Sequence, residues 1–168
     1  HKVFDKEGIF IGDGSYLFVP DNPKYEHSVR LLFDKHNHPV DPKQIKKSDI
    51  QAGHYQWRRC YKMVMLLHIN PDSDFFMVAA VRVVPGNQHE SPIFYDMLDN
   101  FLSSVGSGVV KRLILDRGFI DGEMISRLKK EQGIDTLIPL RKNMDIYRDA
   151  IGLKNEVTFI EYRKPVST

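Results

Sequence analysis

Two long apolar runs separated by a short polar segment restrict the folds open to this chain more than any other feature. The first run covers residues 61–69, the second covers residues 75–84, and Asn-Pro-Asp-Ser-Asp lies between them. Nearly continuous apolar runs of this length are typical of strands covered on both faces, and a short turn-forming segment favours antiparallel pairing of its neighbours. The sequence therefore predicts an antiparallel pair of strands, covered on both faces.

An amphipathic helix is predicted directly after this pair. Ser91 is its expected N-cap and Pro92 its first residue. Apolar side chains recur at helical spacing as far as Val105, and Gly106 is the expected stop signal. Capping and periodicity thus agree on one helix.

The chain then alternates strand, helix and strand. Residues 109–115 and 136–140 are short apolar runs predicted as buried strands, with a second amphipathic helix between them. Asp121 is the expected N-cap of that helix and Gly133 its expected end. An order of strand, helix and strand is typical of right-handed crossovers between parallel strands. These elements are therefore expected to add parallel strands to the sheet.

An early strand and a polar segment complete the predicted order. Residues 8–19 are rich in Ile, Phe, Tyr and Val and are predicted as a strand with Asp13 near its middle. Residues 20–56 are rich in Pro, Asn, Asp, His and Lys, so we expect an excursion off the core with room for one helix. Residues 1–168 are thus predicted as one α/β domain with a mixed five-stranded sheet and helices on its faces.

Composition excludes several classes of protein. Hydrophobic residues make up 42% and charged residues 27% of the chain, and no apolar run approaches the roughly 18 residues of a membrane span, which argues against disordered and transmembrane proteins. The single cysteine, Cys60, cannot form an internal disulfide, which indicates a reducing compartment. The net charge is only +2, so a nucleic-acid surface would require a local arrangement of cations. The chain starts at His1, and we expect it to be a piece of a longer protein.

Two aspartates are the candidates for chemistry because of where the predicted order places them. If the first strand lies beside and parallel to the strand after the first helix, Asp13 and Asp116 come together at one edge of the sheet. Two ionised carboxylates about 4 Å apart repel by roughly 4 kcal/mol at an effective dielectric constant of 20. Bound Mg²⁺ or Mn²⁺ offsets that repulsion, and a pair of such ions promotes phosphoryl transfer.

Simpler interpretations stay open for these residues. Asp13 and the glycine after it are also a strong hairpin-turn signal, and Asp116 could be a turn residue paired with Arg117. His89 and Glu90 precede the expected N-cap and are expected to have a local capping or loop role, with a supporting role in chemistry as the alternative.

Five sequence blocks resemble the catalytic domain of DDE transposases of the insertion-sequence IS-four type. They are Gly12-Asp13-Gly14-Ser15, Tyr61-Lys62, Pro85-Gly86-Asn87-Gln88-His89-Glu90, Leu113-Ile114-Leu115-Asp116-Arg117-Gly118-Phe119 and Ile138-Pro139-Leu140-Arg141-Lys142-Asn143. The resemblance covers residues 8–143 and implies a ribonuclease-H-like fold. It also implies DNA strand cleavage and joining with Mg²⁺ or Mn²⁺ held by two aspartates and one glutamate. The first aspartate maps to Asp13 and the second to Asp116.

The glutamate of that triad has no clear counterpart. The family places it on a late helix, often in a Tyr, Arg, Glu, Lys spacing pattern, and Tyr147-Arg148 lacks that spacing. Glu156 and Glu161 lie in a segment predicted as a strand. We therefore expect the glutamate beyond Thr168 or lost.

The resemblance also implies partners. The expected partners are double-stranded DNA, as element ends and target, and further copies of the full-length protein. The expected location is the nucleoid in the cytoplasm of a prokaryote, and no membrane partner is expected. Arg117, Arg141 and Lys142 leave predicted strand ends on the side of the acids and are candidates for phosphate contacts. Two other functions stay open: a catalytically incomplete, transposase-derived module that binds DNA or a partner, and a small-molecule-binding α/β domain.

Overall fold

The computed structural model of the protein describes residues 4–71 and 76–153. The strands in this part of the chain are β1 (Ile9–Val19), β2 (Val29–Phe33), β3 (Pro39–Val40), β4 (Gln56–Ile69), β5 (Phe76–Pro85), β6 (Arg112–Leu115) and β7 (Asp135–Leu137). The helices are α1 (Lys47–Gln51), α2 (Glu90–Val105), α3 (Gly122–Gln132) and α4 (Asp145–Gly152), with short 3₁₀ turns at Pro42–Gln44 and Arg117–Phe119. None of the described helices is long and apolar enough to cross a bilayer.

The chain divides into two compact units, His1–Ile138 and Pro139–Thr168. The first unit contains the sheet with α1, α2 and α3, and the described part of the second contains α4. The prediction that residues 1–168 form one domain stays a prediction.

The sheet is mixed and is organised around its longest strand, β4. The strand order is β3-β2-β4-β1-β6-β7, and β5 also pairs with β4. On the side of β4 opposite β1, residues 56–60 pair with β2 and residues 61–69 pair with β5. All pairs of β4 are antiparallel, whereas β1 with β6 and β6 with β7 are parallel. The predicted antiparallel pair and the predicted parallel additions are confirmed.

Residues 20–56 join the sheet more closely than predicted. Their apolar patch forms β2, in which Leu32 and Phe33 are buried, and α1 follows in the same segment. The sheet therefore has the five predicted strands and two more, because β4 starts before its pairing with β5 and offers free hydrogen-bonding groups to β2. β7 is shorter than the predicted strand and ends at Leu137.

The core lies on one face of the sheet. Phe10 of β1 and Leu66 of β4 pack with Phe94 and Leu98 of α2 and with Leu128 of α3, and all five side chains are buried. The prediction that the central pair is covered on both faces is wrong for the described residues. β5 leaves alternate side chains about half exposed, at Val78 (52%), Val81 (53%) and Val83 (51%).

The helix termini follow the predicted signals with one exception. Asp121 caps α3 by accepting a hydrogen bond from the Met124 N–H at 3.1 Å, and Gly133 ends the helix in the left-handed conformation at φ 69°. α2 also ends at Gly106 as predicted, but its N-cap is His89 and not Ser91. The His89 ring nitrogen Nδ1 accepts a hydrogen bond from the Ser91 N–H at 3.3 Å, so an imidazole takes the place of a hydroxyl.

Candidate active site

Strands β1 and β6 bring the two predicted aspartates to the same edge of the sheet. The strands are parallel neighbours, with paired residues running from Ile9 and Arg112 to Gly12 and Leu115. In this register the next two residues are Asp13 of β1 and Asp116, which directly follows β6. The backbones of neighbouring strands in a sheet lie about 4.8 Å apart. The predicted parallel arrangement of these strands is confirmed, and the catalytic roles of the two residues stay a prediction.

Asp13 is a strand residue and not a turn residue. It pairs with Met65 of β4 inside the antiparallel ladder, and its φ is not positive. Its side chain is exposed, and its Oδ1 accepts a hydrogen bond from the Gly14 N–H at 2.8 Å. The hairpin interpretation of Asp13 and Gly14 is therefore wrong, because both residues lie within β1 and pair with residues of β4.

Asp116 lies at a turn, but its carboxylate does not build that turn. It immediately precedes the short 3₁₀ turn Arg117–Phe119, and its backbone oxygen accepts a hydrogen bond from the Phe119 N–H at 3.0 Å. The side chain makes no capping hydrogen bond and is exposed. Within the described residues it forms no salt bridge with Arg117, so the carboxylate is available to a ligand.

Glu90 and Lys62 lie near the same edge of the sheet, on its helix-covered side. The sequence did not predict that these two residues form a pair. Glu90 is the first residue of α2, and its Oε2 lies 3.6 Å from the Nζ of Lys62 on β4. The Lys62 side chain is only 11% exposed, and its Nζ lies 5.1 Å from the ring centroid of Tyr16. A lysine inside an apolar strand was the available signal, since a buried ammonium requires a counter-charge.

The three predicted phosphate contacts fall in different units. Arg117 is exposed and follows Asp116 in the first unit. Arg141 and Lys142 are exposed residues of the second unit, so their position near the acids stays a prediction. The two candidate glutamates of the late segment, Glu156 and Glu161, lie outside the described residues.

The chemistry of the two aspartates fits a hard divalent cation. Both offer exposed carboxylate oxygens, and Mg²⁺ is usually bound by one or two carboxylates together with water and substrate phosphates. Residues 4–71 and 76–153 contain no cluster of three or more His, Cys, Asp or Glu side chains suited to a metal ion. A divalent cation bound here would have Asp13 and Asp116 as a pair of ligands and would need further oxygen ligands from other groups.

Comparison with known proteins identifies the family. The chain matches the transposase DDE domain over residues 25–167, which is most of its length, and so belongs to that family. The match includes Asp116 and begins after Asp13. The mixed sheet with helices is the ribonuclease-H-like transposase fold that the resemblance implied. Searches of curated proteins and of solved structures found no match.

Proposed function

We propose that this chain is the catalytic core of a DNA transposase of the insertion-sequence IS-four type, which cleaves and joins DNA strands in a metal-dependent reaction. One observation carries the proposal. The register of β1 and β6 puts Asp13 and Asp116 at adjacent positions on neighbouring parallel strands, within a chain of the transposase DDE family. The substrate is then duplex DNA, as element ends and as target.

In this proposal the two aspartates bind the metal ion, and the neighbouring Arg117 binds DNA. Asp13 and Asp116 would hold Mg²⁺ or Mn²⁺, which when bound activates the attacking oxygen and stabilises the leaving oxygen of a phosphodiester. Arg117, exposed beside Asp116, binds a DNA phosphate and orients the strand. Water or a DNA 3′ hydroxyl is the attacking group, so the chain needs no nucleophilic side chain.

The resemblance implies a third carboxylate, and we propose that it comes from outside the described residues. We also propose that the full-length protein acts as a homo-oligomer in the nucleoid of a prokaryote. Arg141 and Lys142 remain proposed phosphate contacts.

A second function is a catalytically incomplete module that binds DNA or a partner. It is favoured by the finding that the described residues contain no cluster of three or more potential metal ligands. A module of this kind would keep the fold and the DNA-binding cations without cleaving a strand.

Metal binding and plasmid nicking separate the two functions. Calorimetry with Mn²⁺ on the wild type, on D13N, on D116N and on the double variant D13N/D116N tests the metal site. Mn²⁺-dependent nicking of supercoiled plasmid by a version extended at both ends tests catalysis. The enzyme proposal expects Mn²⁺ binding by the wild type, nicking by the extended version, and loss of nicking when either aspartate of that version is changed to Asn. Equal Mn²⁺ binding by the wild type and the double variant would refute the metal site. Binding without nicking would favour the incomplete module.

A further inference from the structure

We propose that Glu90, held by Lys62, is a positioning residue that sets the spacing between the two chain segments carrying Asp13 and Asp116. This inference rests on the proposed function, because it assigns Glu90 a role at the same site. Glu90 acts through the backbone of both segments and does not itself bind the metal.

One carboxylate occupies the side-chain space of two glycines. A Cβ at Gly14, next to Asp13, would lie 2.5 Å from Oε2 of Glu90. A Cβ at Gly118, two residues after Asp116, would lie 2.8 Å from Oε1 of the same residue. Neither glycine has a positive φ, so the backbone conformation does not require glycine at either position. The absence of a side chain at both positions instead makes room for Glu90.

Lys62 fixes the carboxylate that lies over these glycines. Its Nζ lies 3.6 Å from Oε2 of Glu90, and the exposed fractions of the two side chains are 11% and 27%. A largely buried ammonium without a counter-charge is strongly unfavourable, so the two groups restrain each other. Tyr16 pairs with Lys62 across β1 and β4 and lies under its ammonium, which restricts the lysine further.

The helix that carries Glu90 also holds the segment after Asp116. The Tyr95 hydroxyl of α2 donates a hydrogen bond to the backbone oxygen of Phe119 at 2.8 Å. The rings of Phe94 and Phe119 pack with their centroids 5.0 Å apart. α2 therefore contacts the 3₁₀ turn Arg117–Phe119 through Tyr95 and Phe94. Glu90, the first residue of α2, lies in the side-chain space of Gly118 in the same turn.

Glu90 is placed to position the aspartates and not to replace the missing ligand. Gly12 and Gly14 face the helices, since a Cβ at Gly12 would meet the Phe94 ring and a Cβ at Gly14 would meet Glu90. Asp13 lies between them in the strand, so its side chain projects to the opposite face. Consistently, the described residues contain no three-acid cluster suited to a metal ion.

Loss of such a supporting contact should weaken metal binding without removing a ligand. Residues that orient metal ligands from behind typically change metal affinity or activity by about 10 to 100-fold when mutated. We expect a change of that size in the Mn²⁺ dissociation constant for Glu90→Ala. Glu90→Gln keeps the shape but loses the ion pair with Lys62, and should have a smaller effect.

The experiment compares Glu90→Ala with a control variant of similar stability cost, Leu102→Ala. Leu102 is buried at the other end of the same helix, about 18 Å away along its axis, and its truncation should lower the melting temperature without touching the site. The readouts are the Mn²⁺ dissociation constant by calorimetry, and hydrogen exchange of the Phe119 amide, measured without metal. Glu90→Ala is expected to weaken Mn²⁺ binding at least tenfold, while Leu102→Ala changes the Mn²⁺ dissociation constant by less than twofold. Global destabilisation by itself speeds amide exchange, so Glu90→Ala is expected to speed Phe119 exchange at least tenfold more than Leu102→Ala does.

The outcomes distinguish this inference from the proposed function. A wild type that does not bind Mn²⁺ refutes the metal site, whereas the exchange rate of Phe119 still reports whether Glu90 holds the segment after Asp116. Unchanged exchange in Glu90→Ala overturns the positioning role. Wild-type Mn²⁺ affinity in Glu90→Ala, or an equal loss of affinity in Leu102→Ala, overturns it as well.

Discussion

The two faces of the central sheet use the same strands for different purposes. On the helix-covered face, Phe10 and Leu66 are fully buried in the core. On the other face, Asp13, Met65 and Val81 form one row across β1, β4 and β5, and Val81 is 53% exposed. Successive residues of a strand point to opposite faces, so a single strand contributes both to the core and to the candidate site.

This comparison separates residues that stabilise the fold from residues free to bind a ligand. Burial of apolar surface is concentrated on the helix side, where each side chain contributes roughly 1.5 to 3 kcal/mol. The open face makes no such contribution at Asp13, so a charge is tolerated there. A substitution in β1 should therefore act on stability or on function according to the face it alters.

The largest effect on stability is expected at the centre of the helix-covered face. Phe94 is fully buried against Gly12 and Phe119, and Phe94→Ala should lower the free energy of unfolding by about 3 to 5 kcal/mol. Val81→Ala on the open face is the matched control, with an expected loss of about 0.5 kcal/mol. Urea unfolding of both variants measures the difference. Comparable losses would show that the two faces are equally important for stability.

A smaller effect is expected where β1 contacts α2 too closely for any side chain. A Cβ at Gly12 would lie 2.5 Å from Cδ2 of Leu115 and from two ring atoms of Phe94. Gly12→Ala should therefore cost about 1 to 3 kcal/mol through overpacking. Gly122→Ala is the control, because a Cβ there meets nothing within 4 Å, and it should leave stability unchanged or raise it by up to about 1 kcal/mol. Equal urea midpoints for the two variants would contradict the close packing.

The polar pair Asp5 and His68 predicts that the stability of the fold depends on pH. Partial burial of the Asp5 carboxyl would by itself raise its pKa, but hydrogen bonds from the Gly8 and Glu7 N–H groups and the nearby His68 imidazole, whose Nε2 lies 3.3 Å from Oδ1, together lower the pKa below its ordinary value of 3.8. The folded-state pKa is thus below the unfolded one. The ionised carboxylate therefore stabilises the fold above pH 3.8, and this contribution is lost as the pH falls through the folded pKa.

Urea unfolding between pH 7 and pH 3 tests this prediction with Asp5→Asn as the control. The wild type should be more stable than the variant at pH 7, and the difference should shrink on acidification. A difference that stays constant down to pH 3, or grows, would show that the Asp5 carboxylate does not act through its charge.

Local signals in the sequence were sufficient for much of the fold. Asp121 and Gly133 predicted the ends of α3 because capping depends on residues within one turn of the terminus. The adjacency of Asp13 and Asp116 also followed, since strand order and the handedness of crossovers determine which strand ends meet.

What the sequence did not predict depends on contacts distant along the chain. The sequence predicted a local capping or loop role for His89, which is confirmed, but it assigned the N-cap itself to the hydroxyl of Ser91. The exposed face of β5 was not predicted, because an apolar run is compatible with a strand covered on one face or on both. Glu90 forms an ion pair with Lys62 and lies in the side-chain space of Gly14 and Gly118, so it brings together four segments of the chain. No periodicity or motif within one segment reports such a contact.

The smallest effect on stability is expected at the candidate site itself. Asp13 and Asp116 are exposed, and the side chain of Asp116 makes no capping hydrogen bond. D13N keeps an oxygen that can accept the hydrogen bond from the Gly14 N–H, and the Asp116 side chain makes no capping hydrogen bond that D116N could lose. Urea unfolding in the presence of a chelator should therefore give free energies of unfolding within about 0.5 kcal/mol of the wild type. Added Mn²⁺ should stabilise the wild type and leave both variants unchanged, because only the wild type binds the ion in its folded state. A loss above about 1 kcal/mol in the chelator would instead make the aspartates structural and remove the contrast between the two faces.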